Sequence, residues 1–456
     1  MFKSKIKMPK KDKQQSAYTK REVGMQSIVP PKLYDSPHIL RLKNLETVEY
    51  NKYFYVSHTL TFLGLGVIAL NVLIYYTRGW PVEDLKILGL KGAMFFFLMF
   101  SCFYMPDTIV TRPHPFIWRG VLGANLLYLG FLTYISILPL DEARKTFKIF
   151  DETLGETLPE RSYAEDCRIY TPEDPVSAFR NFRDSFFDVH TFAHLLGWIC
   201  KVLIIRDIKV CWICSIGFEI AELTLNHWLP NFKECWWDHL ILDLFGANLL
   251  GMVIGSYILK YYSVNKINWI YEKDHKSAQM RYLNQCSSIK RAVLKLQPNF
   301  FMQHDWKVFK SLKRFYTVIG YCAMGLMIDC NNFFMKTVLL VPPNHYLLKL
   351  RLLLWCPLIL AASEELFDYV TNKYSKRVRP HLWLTILMLC MEAGISIRDS
   401  DVYTGKPFPF YIKVFWTIML VLFICISIWI YTNEKKEDDD EEWNPYDPKI
   451  DIKEIK

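Results

Sequence analysis

The sequence predicts an all-α polytopic membrane protein with about ten transmembrane helices, each near the ~20 apolar residues that cross ~30 Å of hydrocarbon. Three observations predict it. Of 456 residues, 52% are apolar and only 22% are charged. The apolar residues fall in long blocks rather than in the period-2 alternation of a β-barrel. The charges are segregated into tails and loops. This pattern excludes a small disulfide scaffold and a disordered chain.

In chain order, the lysine-rich start (residues 1–50) carries eleven Lys/Arg against five Asp/Glu and no apolar stretch before a cleavage site. It reads as a basic cytosolic tail, largely disordered at its start, with no removable signal peptide. A multi-pass catalytic region follows over 51–432. Its apolar blocks lie at 54–76, 90–110, 117–139, 190–206, 209–229, 238–259, 315–341, 347–367, 380–397 and 410–432. The 315–341 block is ambiguous, because Asp329, Asn331 and Asn332 interrupt it. Residues 433–456 form an acidic tail.

Loop charge orients the spans, since Lys and Arg stay on the cytosolic side. Residues 260–314 hold twelve basic and three acidic residues, whereas 141–188 hold seven and twelve. An odd number of spans separates the cytosolic N-terminus from 141–188, which is therefore luminal. Residues 260–314 and both termini are cytosolic. The basic loop interleaves with aromatics, and beside a bilayer this reads as contact with anionic headgroups and not with nucleic acid. Most of the twelve cysteines sit in the apolar blocks, with Cys167 in the acidic loop, so no disulfide framework is implied.

The chemistry is expected between Asp188 and Gly255, where His190, His194, Lys201, Glu219, Glu222, His227, Glu234, Asp238, Asp243 and Asn248 crowd three apolar spans. A carboxylate at mid-bilayer costs about 2.5–3.5 kcal/mol, so such a cluster marks a site. Glu219 and Glu222 share one helical face, and Glu234 and Asp238 share another after the break at Pro230 and Asn231. An antiparallel return would bring the two pairs together. Four oxygen-donor carboxylates repel unless they hold protons or a hard cation, with Ca2+ ahead of Mn2+ or Mg2+. Hydrogen-bonded acids without a metal are the alternative. Asp243 falls off the common face of an ideal helix, leaving it for a second cation, a substrate ammonium or a supporting role.

His194 lies early in its span and can exchange a proton near neutral pH, although a structural histidine is the plainer reading. Lys201 shares its face and either meets a phosphate or snorkels. Cys211-Trp-Ile-Cys214 lacks any redox context. No P-loop, G-x-G-x-x-G or G-x-S-x-G occurs, so no nucleotide is expected.

The stretch from Ala193-His194 through Lys201 to Arg206, then Glu219-Ile-Ala-Glu222, then His227-Trp-Leu-Pro-Asn231-Phe-Lys-Glu234-Cys-Trp-Trp-Asp238, with Asp243 and Asn248, resembles the eukaryotic base-exchange phosphatidylserine synthases. Arg112-Pro-His-Pro-Phe-Ile-Trp118-Arg119, Ile289 to Leu294, and Asn332-Phe-Phe-Met-Lys336 resemble further stretches of that family in order. The resemblance implies a Ca2+-dependent enzyme of the endoplasmic reticulum membrane and makes a homodimer the expectation. Its partners would be L-serine and phosphatidylcholine or phosphatidylethanolamine, whose headgroup is exchanged. It implies roles for His194, Glu219, Glu222, Asn231, Glu234, Asp238, Asp243 and Asn248. Arg112, Arg119, Lys201 and Lys336 are candidates for lipid phosphate or regulation. The competing readings are a CDP-alcohol phosphotransferase, whose D-G-x2-A-R signature is absent, another membrane lipid transferase, and a cation transporter or channel lined by Glu219, Glu222, Asp238 and Asp243.

Overall fold

The computed structural model describes residues 58–434, except 78, 111, 157–165, 176, 230–231, 265–284, 292–302, 343, 373–374, 376 and 406. The basic tail, nearly all of the acidic tail and much of the 260–314 loop lie outside the described residues, as does Asn231.

The apolar blocks become helices. They are α1 His58–Tyr76, α2 Val82–Tyr104, α3 Pro115–Ile137, α6 Val189–Ile205, α7 Ile208–Leu225, α8 Leu249–Val264, α9 Leu312–Leu339, α10 Tyr346–Thr371, α11 Pro380–Arg398 and α12 Phe410–Asn433. Two short helices, α4 Leu140–Phe147 and α5 Arg180–Phe186, lie in the acidic loop. Eight helices among the described residues are long and apolar enough to cross a membrane, which makes the chain an all-α multi-pass protein. Local chemistry sets their starts. Asp207 caps α7 by accepting from the Lys209 and Val210 amides, Ser311 caps α9, and Pro115 and Pro380 occupy first turns where their missing N–H costs nothing.

The ambiguous 315–341 block is one continuous helix, α9. Asp329 and Asn332 are satisfied across helix interfaces instead of breaking the ladder, while Asn331 is buried with its side-chain nitrogen unpartnered among the described residues. Asp329 pairs with Lys201 of α6 at 2.8 Å, and Asn332 Oδ1 accepts from Arg351 of α10 at 3.4 Å. Arg351 itself forks onto Glu392 of α11 at 2.9 and 2.5 Å, and Glu392 also accepts from Tyr128 and Trp355. Every donor in that buried group finds an acceptor, which low-dielectric surroundings require.

One core cluster positions the site. Trp198, Val202, Val210, Cys211, Met252, Tyr321 and Ala362 join α6, α7, α8, α9 and α10. Helices α6 and α8 lie unusually close, and Gly251 permits it. A Cβ there would sit 2.6 Å from the Leu195 carbonyl oxygen and 2.8 Å from Trp198 Cβ. Small residues let backbones approach in a membrane, where packing drives helix association. Gly251→Ala is therefore expected to part α6 from α8 and cost about 1–3 kcal/mol of stability. Thermal unfolding of the purified variant checks this, and an unchanged midpoint would contradict the close packing.

Candidate active site

Three segments converge at one end of the bundle: the start of α6, the last turns of α7, and a π-helix, Asp238–Asn248, that runs directly into α8. The π-helix corrects the expectation for Asp243. An α-helix would turn Asp243 away from Asp238, but hydrogen bonds from i to i+5 widen the turn and bring residues five apart onto one face. Gly246 accommodates that wide turn, since a Cβ there would lie 2.9 Å from the Ile241 carbonyl oxygen. Asp243 is buried and aimed inward.

At the centre stands His239, which sequence reasoning missed. Its Nδ1 lies 3.1 Å from Glu219 Oε2, 3.4 Å from Glu222 Oε2 and 3.8 Å from Glu234 Oε2. Two groups of ligand atoms form around it, Glu219–His239–Asp243 and Glu222–Glu234–His239, each with its atoms within 4.8 Å of one another. Glu234 and Asp243 share a hydrogen bond. Burial, reinforced by the charges of Glu222 and Asp243, pushes the Glu234 carboxyl up to about 9. Glu222 Oε2 is buried without any hydrogen bond, although the residue is only 3% exposed. Such an atom is costly unless a cation or proton meets it. The donor set therefore fits a divalent cation.

The expected quartet of ligands is redistributed. Glu234 precedes the helix and reaches the cluster from the connecting segment, so it shares no helical face with Asp238. Asp238 instead hydrogen-bonds Ser185 of α5 and stands outside both ligand groups among the described residues.

His194 is the cluster's neighbour. Its Nδ1 lies 3.2 Å from Asn248 Oδ1 and 3.5 Å from Asp243 Oδ1. Both are acceptors, so Nδ1 carries the proton and Nε2 keeps a lone pair. Asn248 is fully buried, and its amide nitrogen donates to Ser215 Oγ at 3.1 Å and Glu219 Oε1 at 3.2 Å. One side chain thus ties the imidazole to the acidic cluster.

A disulfide also corrects the sequence reading. Cys167 of the acidic loop is bonded to Cys235, between Glu234 and Trp236. Trp237 Nε1 donates to the Cys167 carbonyl at 3.0 Å, and Phe182 packs on Trp237. The acidic loop is therefore stapled to the segment that carries Glu234 and Asp238. Two lone cysteines in separate polar segments, 68 residues apart, were the available signal.

The proposed phosphate groups lie on other contacts. Lys201 is partly exposed, pairs with Asp329 and lies 4.3 Å over the Trp198 ring. Arg119 forks onto Asp107 and donates to the Phe103 carbonyl. Arg112 is buried, with its carbonyl accepting from Trp118 Nε1, and Lys336 is half-buried in the last turn of α9.

The profile of the family described as "Phosphatidyl serine synthase" matches residues 113–400, a stretch that holds every residue of the cluster. The chain belongs to that family. It is accordingly a transferase of phospholipid biosynthesis, which displaces the channel reading. It is similar to phosphatidylserine synthase 2 of Homo sapiens, 33% identical over 382 residues that cover 83% of this chain and 77% of that one. It is also similar to CDP-diacylglycerol–serine O-phosphatidyltransferase 2 of Oryza sativa, 33% identical over 76% of this chain and 81% of that one. The Arabidopsis thaliana protein called CDP-diacylglycerol–serine O-phosphatidyltransferase 1 is 32% identical over 76% and 80%.

Asn248→Leu removes the acceptor that fixes the His194 ring and orphans Ser215 and Glu219. Turnover is expected to fall roughly 10–100-fold. The initial rate of phosphatidylserine formation measures it, and a wild-type rate would show that Asn248 does not orient His194.

Proposed function

We propose that this chain makes phosphatidylserine by Ca2+-dependent base exchange, with L-serine replacing choline or ethanolamine on a phospholipid. The observation that carries the reading is the His194 imidazole, its Nε2 lone pair available, beside a buried carboxylate cluster with an unsatisfied oxygen. The carboxylates of Glu219, Glu222, Glu234 and Asp243 would hold the cation. When bound, it would supply positive charge to the phosphodiester oxygens and polarise phosphorus.

The chain's own residues do the rest. His194 Nε2 accepts the proton of the serine hydroxyl as the serine oxygen bonds to phosphorus. The bond from phosphorus to the choline or ethanolamine oxygen breaks, and the same imidazole returns the proton to that oxygen. One phosphodiester replaces another, so no nucleotide energy is needed. Asn248 and Asp243 hold Nδ1–H throughout and favour the transient imidazolium.

The site sits at the end of the bundle that carries the acidic loop, and loop charge makes that side luminal with both termini cytosolic. A disulfide between this loop and the site fits the oxidising lumen of the endoplasmic reticulum. A homodimer remains an expectation of the family.

The names of the rice and Arabidopsis relatives point to a different donor, CDP-diacylglycerol. Incorporation of labelled serine by the purified protein separates the two. With phosphatidylcholine or phosphatidylethanolamine and no nucleotide, incorporation is expected, lost on chelation and restored by Ca2+. Incorporation that requires CDP-diacylglycerol, or that persists under chelation, would overturn base exchange. In the same assay, His194→Gln is expected to lower turnover about 10²–10⁴-fold. Near-normal turnover would remove His194 from proton transfer.

A further inference from the structure

A five-membered ring with one Nδ1 proton can donate to one carboxylate at a time, yet His239 Nδ1 faces oxygens of Glu219, Glu222 and Glu234. Hydrogen bonding therefore leaves this arrangement under-satisfied, and Glu222 Oε2, buried and without a hydrogen bond, is the atom left over. A metal ion meets the same geometry without that limit. Ligand atoms on opposite sides of one Ca2+, at about 2.3–2.6 Å each, stand at most about 5 Å apart. Within each of the two groups the ligand atoms lie within 4.8 Å of one another, and His239 is the member common to the two. Its backbone is held in place, since the amide donates to the Cys235 carbonyl at 3.2 Å, on the residue stapled to the acidic loop.

We propose that His239 is a direct nitrogen ligand of the divalent cation and lets Mn2+ occupy the site in place of Ca2+. This rests on the cation reading above and extends it from the carboxylates to the imidazole. Ca2+ and Mg2+ are bound almost wholly through oxygen, whereas an imidazole donor strengthens the hold on a first-row transition ion. Carboxylates from Glu219, Glu222, Glu234 and Asp243 supply the charge, and His239 shifts the choice of ion.

The test uses the purified full chain in lipid nanodiscs, loaded with Mn2+ and read by electron spin-echo envelope modulation. A directly bound imidazole nitrogen imposes a ¹⁴N modulation on the Mn2+ signal. Bound Mn2+ that Ca2+ displaces and that shows ¹⁴N modulation is the expected result. In His239→Gln the modulation should vanish, and Mn2+ affinity relative to Ca2+ should fall about tenfold or more. In His194→Gln the modulation should persist, which separates the two histidines. Bound, Ca2+-displaceable Mn2+ without ¹⁴N modulation in the wild-type protein would overturn the role of His239 and leave the carboxylate site standing. Failure of the wild-type protein to bind either ion would overturn both. The wild-type spectrum decides the matter even if the glutamine variant does not fold.

Discussion

The organising constraint is electrostatic: Glu219, Glu222 and Asp243, all buried, and the partly buried Glu234 converge at one end of a helical bundle where little water screens them. Each buried carboxylate costs several kcal/mol unless paired, and like charges at hydrogen-bonding range raise that cost further. The surrounding chain is arranged to hold these acids together despite it. The π-helix turns Asp243 inward, Asn248 bridges to His194, and His239 fills the space between the carboxylates. A site strained in this way is poised to bind positive charge, whether from an ion or from the developing charge of a reacting phosphodiester.

The frame that resists this repulsion is built from contacts far from it. Close approach of α6 and α8 at Gly251 sets the distance between His194 and Asn248. The Cys167–Cys235 bridge fixes the segment that delivers Glu234, so a loop that would otherwise wander becomes part of the site's wall. The buried Arg351–Glu392 fork and the Lys201–Asp329 pair tie α9, α10, α11 and α6 into one bundle. Interhelical polar bonds of this kind also explain why α9 tolerates Asp329 and Asn332 mid-helix.

Much of this was legible in the sequence. Hydrophobic blocks marked the eight helices that, among the described residues, are long and apolar enough to cross a bilayer, and the intramembrane acids marked the site because burial makes them expensive. Glu219 and Glu222 were placed on one face by α-helical periodicity, and the structure keeps them there. What escaped has a common physical cause. The inward turn of Asp243 and the central place of His239 depend on a π-helix, which has no periodic signature of its own. The Cys167–Cys235 bridge joins distant segments whose proximity is tertiary. Asp238 looked like a ligand by spacing from Glu234, but Glu234 lies ahead of the helical turn that begins at Trp236, so helical spacing did not apply. The pairing of Lys201 with Asp329 joins positions 128 residues apart, which spacing alone does not reveal.

If uncompensated carboxylates are the central constraint, a cation that binds the folded state alone must stabilise it, by RT ln(1 + [L]/Kd) for one site. The direct measurement is the thermal unfolding midpoint of the purified protein in nanodiscs across a Ca2+ titration, beside Glu222→Gln. The midpoint of the wild-type protein should rise with Ca2+ and fall back on chelation, while the variant, already relieved of one charge, should respond far less. A wild-type midpoint indifferent to both Ca2+ and Mn2+ would contradict a cation-binding role for the cluster.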